Sequence, residues 1–424
     1  MKKFLALIIA LVMALSLVAC GEQKQPDTPD VPDDGEQTAT IKVGFITLHD
    51  ENSTYDLNFI NAAKEAIANL GLTENDYILK TNIEEGQKCY DTAAELADAG
   101  CNIIFADSFG HESYMIQAAK DFPDVQFCHS TGTRAHTENL PNYHNAFASI
   151  YEGRYLAGIA AGMKMNEMIE AGKFTADEAK MGYVGAFTYA EVVSGYTSFY
   201  LGAKSVCPTV TMDVTFTGSW YDETLEKEGA QKLIDGGCKL ISQHADSLGA
   251  PTACENAGIP NVSYNGSTQA AGPNTYIISS RIDWAPYYEL AIKAVMDGTE
   301  IPADYTGDLK TGSVVLTDLN TAVAAEGTQA AIDEAMAKLE NGELHVFDCS
   351  TFTTSVELNP FKTDFLKVDA DGHITSYLAD VDTDEAYTGD TEVITDGYFA
   401  ESTARSAPYF DLSIDGINLL DTKM

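Results

Sequence analysis

The sequence predicts an α/β protein of two Rossmann-like parallel-sheet lobes joined by a hinge, followed by a β-rich C-terminal extension. Three observations predict it. Short apolar runs rich in β-branched residues alternate with helical segments of about 10–15 residues, which means a parallel sheet with right-handed crossovers. The alternation pauses at a long helix and restarts near residue 177. One corner occurs twice, as "GCNIIFADSFG" (Gly100–Gly110) and "GCKLISQHADSLG" (Gly237–Gly249); Cys238 follows Cys101 by 137 residues, 238 minus 101. A repeat at that distance reads as two units of one plan.

The first unit opens on "IKVGFIT" (Ile41–Thr47), a strand. In the next segment Ile60, Ala63, Ile67 and Leu70 fall at helical spacing, and Gly71 suits a C-cap. "DYILK", "NIIFA", "VQFCH" and "YHNAFASI" read as further strands, with "GQKCYDTAAELADAG" and "ESYMIQAAKDFP" as helices between them. "YEGRYLAGIAAGMKMNEMI" is a long helix with small residues on one side. The second unit repeats the scheme through "KMGYVGAF", "TMDVTFTG", "KLISQ", "NVSYN" and "TYIISS", with helices at "VVSGYTSFYLGAKSV", "DETLEKEGAQKLIDGG" and "PTACENAG". The expected boundaries are 41–176 plus about 279–312 for the first lobe and 177–278 plus about 313–346 for the second. Residues 347–424 form the extension, where "HVFDCSTFTT" and "VDADGHITSYLADV" read as hairpins around turn residues.

The amino-terminal "MKKFLALIIALVMALSLVAC" has two lysines and then an apolar run too short to span a bilayer, so it reads as a secretory signal, residues 1–19. "LVAC" resembles the bacterial lipobox, in which Cys20 would become the lipidated first residue; the alternative is an ordinary secretion signal with an incidental cysteine. Residues 20–40 then carry prolines and acidic residues with almost nothing apolar, a flexible tether. These features expect a chain anchored by lipid to the extracytoplasmic face of the cell membrane. The net charge of −39 argues against nucleic acid and anionic lipid surfaces as partners. Seven scattered cysteines beyond Cys20 do not form a disulfide framework, and without a C-x-x-C they read as buried small hydrophobes.

Both "ADS" corners fall at carboxyl ends of parallel strands, where ligands bind in such sheets. Facing lobes would turn both into one cleft. Asp107–Ser108 and Asp246–Ser247 leave three readings open: helix or loop caps, ligand hydrogen bonding, or a hydrolase nucleophile. Neither serine lies in G-x-S-x-G, and no histidine is placed by motif to serve it, so no catalytic residue is assigned. His49, Asp50, His111 and Glu112 have loop positions as the default reading. "DVDTDEAYTGDTE" (Asp380–Glu392) fails the calcium-loop spacing, and no metal-ligand, Walker A or G-x-G-x-x-G motif occurs. No cofactor or metal is expected. Aromatic residues cluster at strand ends: Tyr55, Phe109, Trp220, Tyr221 and Trp284. Flat rings beside carboxylates and hydroxyls suit a planar heterocycle that is stacked on its faces and hydrogen-bonded at its edge.

A signal with a lipidation cysteine, then "YEGRYLAGIAAG", "FADSFG", "GSWYDE", "QHADS" and "SSRIDWAPYYELAIKAVMDG" in this order, resembles the basic membrane protein (BMP) family over roughly Ile41–Leu344. These are lipoprotein substrate-binding proteins of ABC transporters. The resemblance implies the type I periplasmic-binding fold, a three-strand hinge, and a purine base or nucleoside closed between the lobes of a monomer. It places Tyr55 and Phe109 in first-lobe ligand loops and Trp220, Asp246 and Asn265 in second-lobe ones. The full expected ligand set is Tyr55, Ser108, Phe109, Trp220, Tyr221, Asp246, Ser247, Asn265 and Trp284. The chain departs from the nucleoside-binding branch at "SYNGS", where that branch has an acidic residue, and near Arg281, where it has lysine. "WYD" and "W-x-PYY" resemble more closely a branch that takes a free base. The expected partners are a small purine-like molecule and an ABC permease. Alternatives are a sensory receptor of the same build, or a binder of riboflavin, a sugar or an autoinducer; a serine hydrolase ranks last.

Overall fold

The computed structural model describes residues 41–381 and 391–424. The signal-like segment, Cys20 and the linker lie outside the described residues, as does most of the acidic stretch after Asp380.

The first lobe is a six-stranded, wholly parallel sheet. Its strands are β1 (Val43–Ile46), β2 (Tyr77–Lys80), β3 (Ile103–Ala106), β4 (Gln126–Ser130) and β5 (Tyr143–Ala148), with β11 (Asp304–Gly307) returning from later in the chain. The order is β2-β1-β3-β4-β5-β11. Helices α1 (Thr54–Asn69), α2 (Gln87–Asp98), α3 (Glu112–Asp121) and the short α4 (Ala135–Glu138) connect them. β1, β3 and β5 are buried at every position, as sheets covered on both faces require.

The second lobe follows with α5 (Ile150–Glu170), β6 (Lys180–Gly185), α6 (Ala190–Val206), β7 (Thr211–Phe216), α7 (Glu223–Asp235), β8 (Leu240–His244), α8 (Gly249–Ala257), β9 (Asn261–Tyr264) and β10 (Tyr276–Ile282). Helix α9 (Ala285–Asp297) packs back on α1 in the first lobe, its aromatic residues joining the core around Phe45 and Phe59. After β11 the chain returns to the second lobe as β12 (Val314–Leu316) and α10 (Thr328–Asn341). The second sheet runs β7-β6-β8-β9-β10-β12, parallel except for β12. Its strands β7-β6-β8-β9-β10 repeat the order β2-β1-β3-β4-β5 of the first sheet, so β3 answers to β8 and β4 to β9.

Three segments cross between the lobes, at Ser149, at Asp283–Trp284 and at Asp308–Ser313. The first crossing falls earlier than the expected boundary at 176. Helix α5 packs against α6 and β10, because its glycines permit it. A Cβ at Gly158 would overlap the Phe199 carbonyl, and one at Gly202 would overlap that of Tyr155. Helix α10 buries Thr328, Ile332, Ala335 and Leu339 and exposes its charged face.

In the extension, β13 (Leu366–Val368) and β14 (Ile374–Ala379) form an antiparallel hairpin turned at Gly372, whose φ is +91°. β15 (Thr391–Glu392) adds to β14, and β16 (Ile394–Thr395) pairs with β17 (Tyr398–Phe399). "HVFDCSTFTT" is not a hairpin. It is irregular, its one ladder contact a bridge from Asp348 to Tyr398, and it instead sends Phe347 and Phe352 into the second-lobe core beside Phe410. The last strand, β18 (Ile417–Leu419), extends the second sheet by pairing in parallel with β7. The extension touches the first lobe at β11, where Ser406 N donates to Asp304 Oδ2 at 2.7 Å and Thr306 Oγ1 to the Ser402 carbonyl at 3.3 Å.

Candidate functional site

The carboxyl ends of both sheets face one another across a narrow cavity of about 20 Å³. It is lined by Leu48, His49, Tyr55, Asp56, Ser108, Phe109 and Thr131 from the first lobe, and by Glu191, Trp220, His244 and Asp246 from the second. The lobes are closed on it. Thr54, in the first turn of α1, donates its N–H to the Asp246 carbonyl at 2.9 Å and its hydroxyl to the same oxygen at 3.2 Å. The Phe109 ring stacks on Tyr189 of the second lobe at 5.2 Å.

On the first-lobe side, Ser53 caps α1 and holds Asp56 beneath the loop after β1. The buried Asp56 carboxylate accepts from Ser53 Oγ at 2.5 Å and from His49 N at 2.7 Å, with His49 Nδ1 at 3.4 Å. Burial pushes its pKa up, but these bonds outweigh burial and hold Asp56 below the ordinary carboxylate range. Asp107, one residue beyond β3, is the opposite case. Its Oδ1 accepts from Leu48 N at 3.1 Å, its Oδ2 has no partner, and it is 1% exposed. Burial, then the Asp56 charge, raise its pKa well above normal. The two neighbouring carboxyls are thus pushed in opposite directions, Asp56 toward its charged form and Asp107 toward its neutral form. Tyr55 donates its hydroxyl to the Asp107 carbonyl at 2.7 Å, which fixes its ring beside the cavity.

The second lobe repeats the corner. Asp246 lies just beyond β8, 4% exposed, with its N–H on the Trp220 carbonyl at 3.0 Å and Oδ1 accepting from Asn265 Nδ2 at 3.1 Å. Burial first, then the Asp56 and Glu226 charges, raise its pKa well above normal against the Asn265 bond. A second pair of matched corners follows β4 and β9. Thr131 and Asn265 both have left-handed backbone, φ +70° and +66°, and each donates its N–H to the neighbouring strand, to Ala146 and Ser280. That conformation is costly for a β-branched residue and marks functional positions. Thr131 Oγ1, buried in the cavity wall, has no partner. Glu191 opens α6, its Oε1 3.4 Å from His244 Nε2. The His244 ring packs on Tyr264, and burial lowers its pKa against the pull of Glu191. Among the described residues, no lysine or arginine lines the cavity.

Of the expected ligand residues, Tyr55, Ser108, Phe109, Trp220 and Asp246 line the cavity. Ser108 Oγ donates to Glu85 at 2.6 Å. Ser247 does not line it. Its hydroxyl accepts from Gly249 N at 3.0 Å, and its N–H meets the Glu226 carboxylate, so it ties the start of α8. Among the described residues, neither hydroxyl bonds a histidine ring; the Ser108 hydroxyl accepts instead from the His111 backbone N–H. Asn265 stands behind Asp246, and Tyr221 packs on His49 at 5.4 Å, outside the lining. Trp284 is 2% exposed in the first-lobe core, stacked on Phe59 at 4.5 Å. Asp56, His49, Thr131, Glu191 and His244 belong to the lining beyond the expected set. Each sits where a strand's carboxyl end meets a loop or the first turn of a helix, and that position is their only sequence signal.

Two similar parallel-sheet lobes, linked by three segments and closed over a cavity at their strand ends, have the build of a two-lobe protein that takes a small molecule between its lobes. The chain belongs to the family of PnrA-like ABC transporter substrate-binding proteins (Bmp), whose model matches residues 44–346. It is 32% identical over 310 residues, 72% of this chain and 83% of the relative, to the "Purine-binding protein BAB2_0673" of Brucella abortus. It is 34% identical over 259 residues to the "Putative ABC transporter glucose-binding protein TsgA13" of Haloferax volcanii, covering 61% of this chain and 62% of that protein. Among solved structures, a solute-binding protein of an ABC transporter system from Aeropyrum pernix superposes with a TM-score of 0.61 at 18% identity, over 76% of this chain and 96% of that one. That likeness speaks for the fold.

Proposed function

We propose that this substrate-binding protein captures a purine base or nucleoside in the interlobe cavity, by hinge closure, and delivers it to its ABC permease from a lipid anchor at Cys20. The observation that carries the reading is the composition of the cavity wall. Trp220, Phe109 and Tyr55 offer ring faces, while the carboxyls of Asp246 and Asp56 offer acceptors to ring and amino N–H groups. A wall with carboxyls and no cation favours a donor-bearing neutral heterocycle over an anion. The purine-binding relative supports the same ligand class.

Tryptophan emission tests it. The chain has two tryptophans, so Trp284→Phe leaves Trp220 as the reporter. Adenine should change its emission saturably as the ring stacks. An unchanged emission over millimolar adenine would remove the purine from the cavity. For the anchor, Cys20→Ala should release the chain from the membrane fraction; retention there would contradict lipidation.

A further inference from the structure

The family match ends at residue 346, yet the chain beyond it returns to the mouth of the cavity. β18 pairs with β7 along Ile417–Leu419, and Leu420 N donates to the Val214 carbonyl at 2.8 Å. The next residues bond the end of β7, from which the Trp220 loop leaves, and the loop after β6 that carries Phe187 and Tyr189. Asp421 Oδ1 accepts from Phe216 N at 2.7 Å. Its Oδ2 accepts from Thr215 Oγ1 at 2.6 Å and Lys232 Nζ at 2.9 Å. Lys423 closes a two-bond clasp on the other loop: Thr188 N donates to its carbonyl at 2.7 Å, and its N–H donates to Thr188 Oγ1 at 2.9 Å.

Those loops form the closing face. Thr188 lies between Phe187 and Tyr189, whose rings stack at 5.1 Å. Phe187 meets Trp220 edge-on at 5.0 Å, and Tyr189 stacks on Phe109 across the cleft. The loops are also tied to each other, by Gly218 N on the Ala186 carbonyl at 2.8 Å. The C-terminal segment therefore anchors at the end of β7, where the Trp220 loop begins, and clasps the Thr188 loop, adding to the backbone bonds from Gly218 N to Ala186 and from Asp246 N to Trp220.

Resting on the reading of the cavity as the binding site, we propose that Asp421 and Lys423 are positioning residues for it. They hold the Phe187–Tyr189 loop and the Trp220 loop in the orientation that meets Phe109, and so set how long a captured ligand stays. Removing Asp421–Met424 leaves β18 in place and should loosen the Thr188 loop and the root of the Trp220 loop. The expected result is adenine dissociation about tenfold faster, with association changed by less than about threefold, as for a loss of a few neutral and charged hydrogen bonds at a gate. In the Trp284→Phe background without ligand, the same truncation should lower Trp220 anisotropy. That second readout separates the two claims: if adenine binds neither chain, the ligand reading fails and the anisotropy still tests the tail. Thr188→Val, which removes one acceptor of the clasp, carries the test should the truncated chain misfold, and should shift both readouts in the same direction by less. Unchanged anisotropy together with unchanged dissociation would overturn the proposal.

Discussion

At the scale of single residues, the site rests on carboxyls sorted by their surroundings. Asp56 is held charged by His49 and Ser53, while Asp107 and Asp246 are driven toward their neutral forms by burial. Asp246 is the one that both lines the cavity and joins the lobes. Asp246→Asn keeps the shape but replaces one carboxyl oxygen with an amide NH₂, and should weaken adenine binding by about 1–3 kcal/mol, the cost of leaving a buried partner unsatisfied, with an unchanged circular dichroism spectrum. Equal affinity in a calorimetric titration would make Asp246 a structural cap.

Buried carboxyls elsewhere set the response to pH. Burial raises Glu226 and Glu152 to about 7 and Glu401 to about 8, the last against bonds from Tyr409 N and Phe410 N. Each folded pKa lies above the unfolded value, so the native state keeps protons that the unfolded chain gives up, and stability falls as pH rises toward the folded pKa. Buried histidines His111, His129, His144 and His244 are shifted down. They act in the opposite sense, but only below their ordinary pKa near 6.5. Above about pH 6.5 the carboxyls act alone. The melting temperature of the ligand-free chain should therefore fall from pH 6.5 to 8, and Glu401→Gln should flatten that fall. A melting temperature that rises over this window would contradict the assignment.

At the scale of elements, the sequence already showed the strands, most helices and the doubled corner, because buried parallel strands write continuous apolar runs. Asp107 and Asp246 could be matched from "ADSFG" and "ADSLG" before any coordinates. Trp284 could not be placed in that way. It follows a strand as Trp220 does, but its strand leads into a hinge, and α9 turns its ring toward Phe59. The lobe to which α5 belongs was hidden too, since Gly158, Gly162 and Gly202 signal close packing without naming the partner. They now do: each faces backbone of the opposite helix of the α5–α6 pair. Gly202→Ala should push these helices apart and cost about 1–3 kcal/mol, the usual penalty of overpacking, seen as a lower urea midpoint with little change in slope. An unaltered midpoint would show that the pair yields without cost.

At the scale of the whole molecule, three crossings join two lobes that already touch through Thr54 and Asp246 and through Phe109 and Tyr189, and a ligand held between them would add contacts to both. Binding energy is thus linked to the stability of the closed form. A ligand at 100 times its dissociation constant adds about 2.7 kcal/mol. Two relatives named for different solutes, a purine and glucose, make the choice of ligand a sharp one. The most direct measurement is a thermal-shift titration of the full chain with adenine, guanosine, riboflavin and glucose side by side. Adenine or guanosine should raise the melting temperature in a saturable, concentration-dependent way while glucose leaves it unchanged. A rise with glucose and none with either purine would contradict the account.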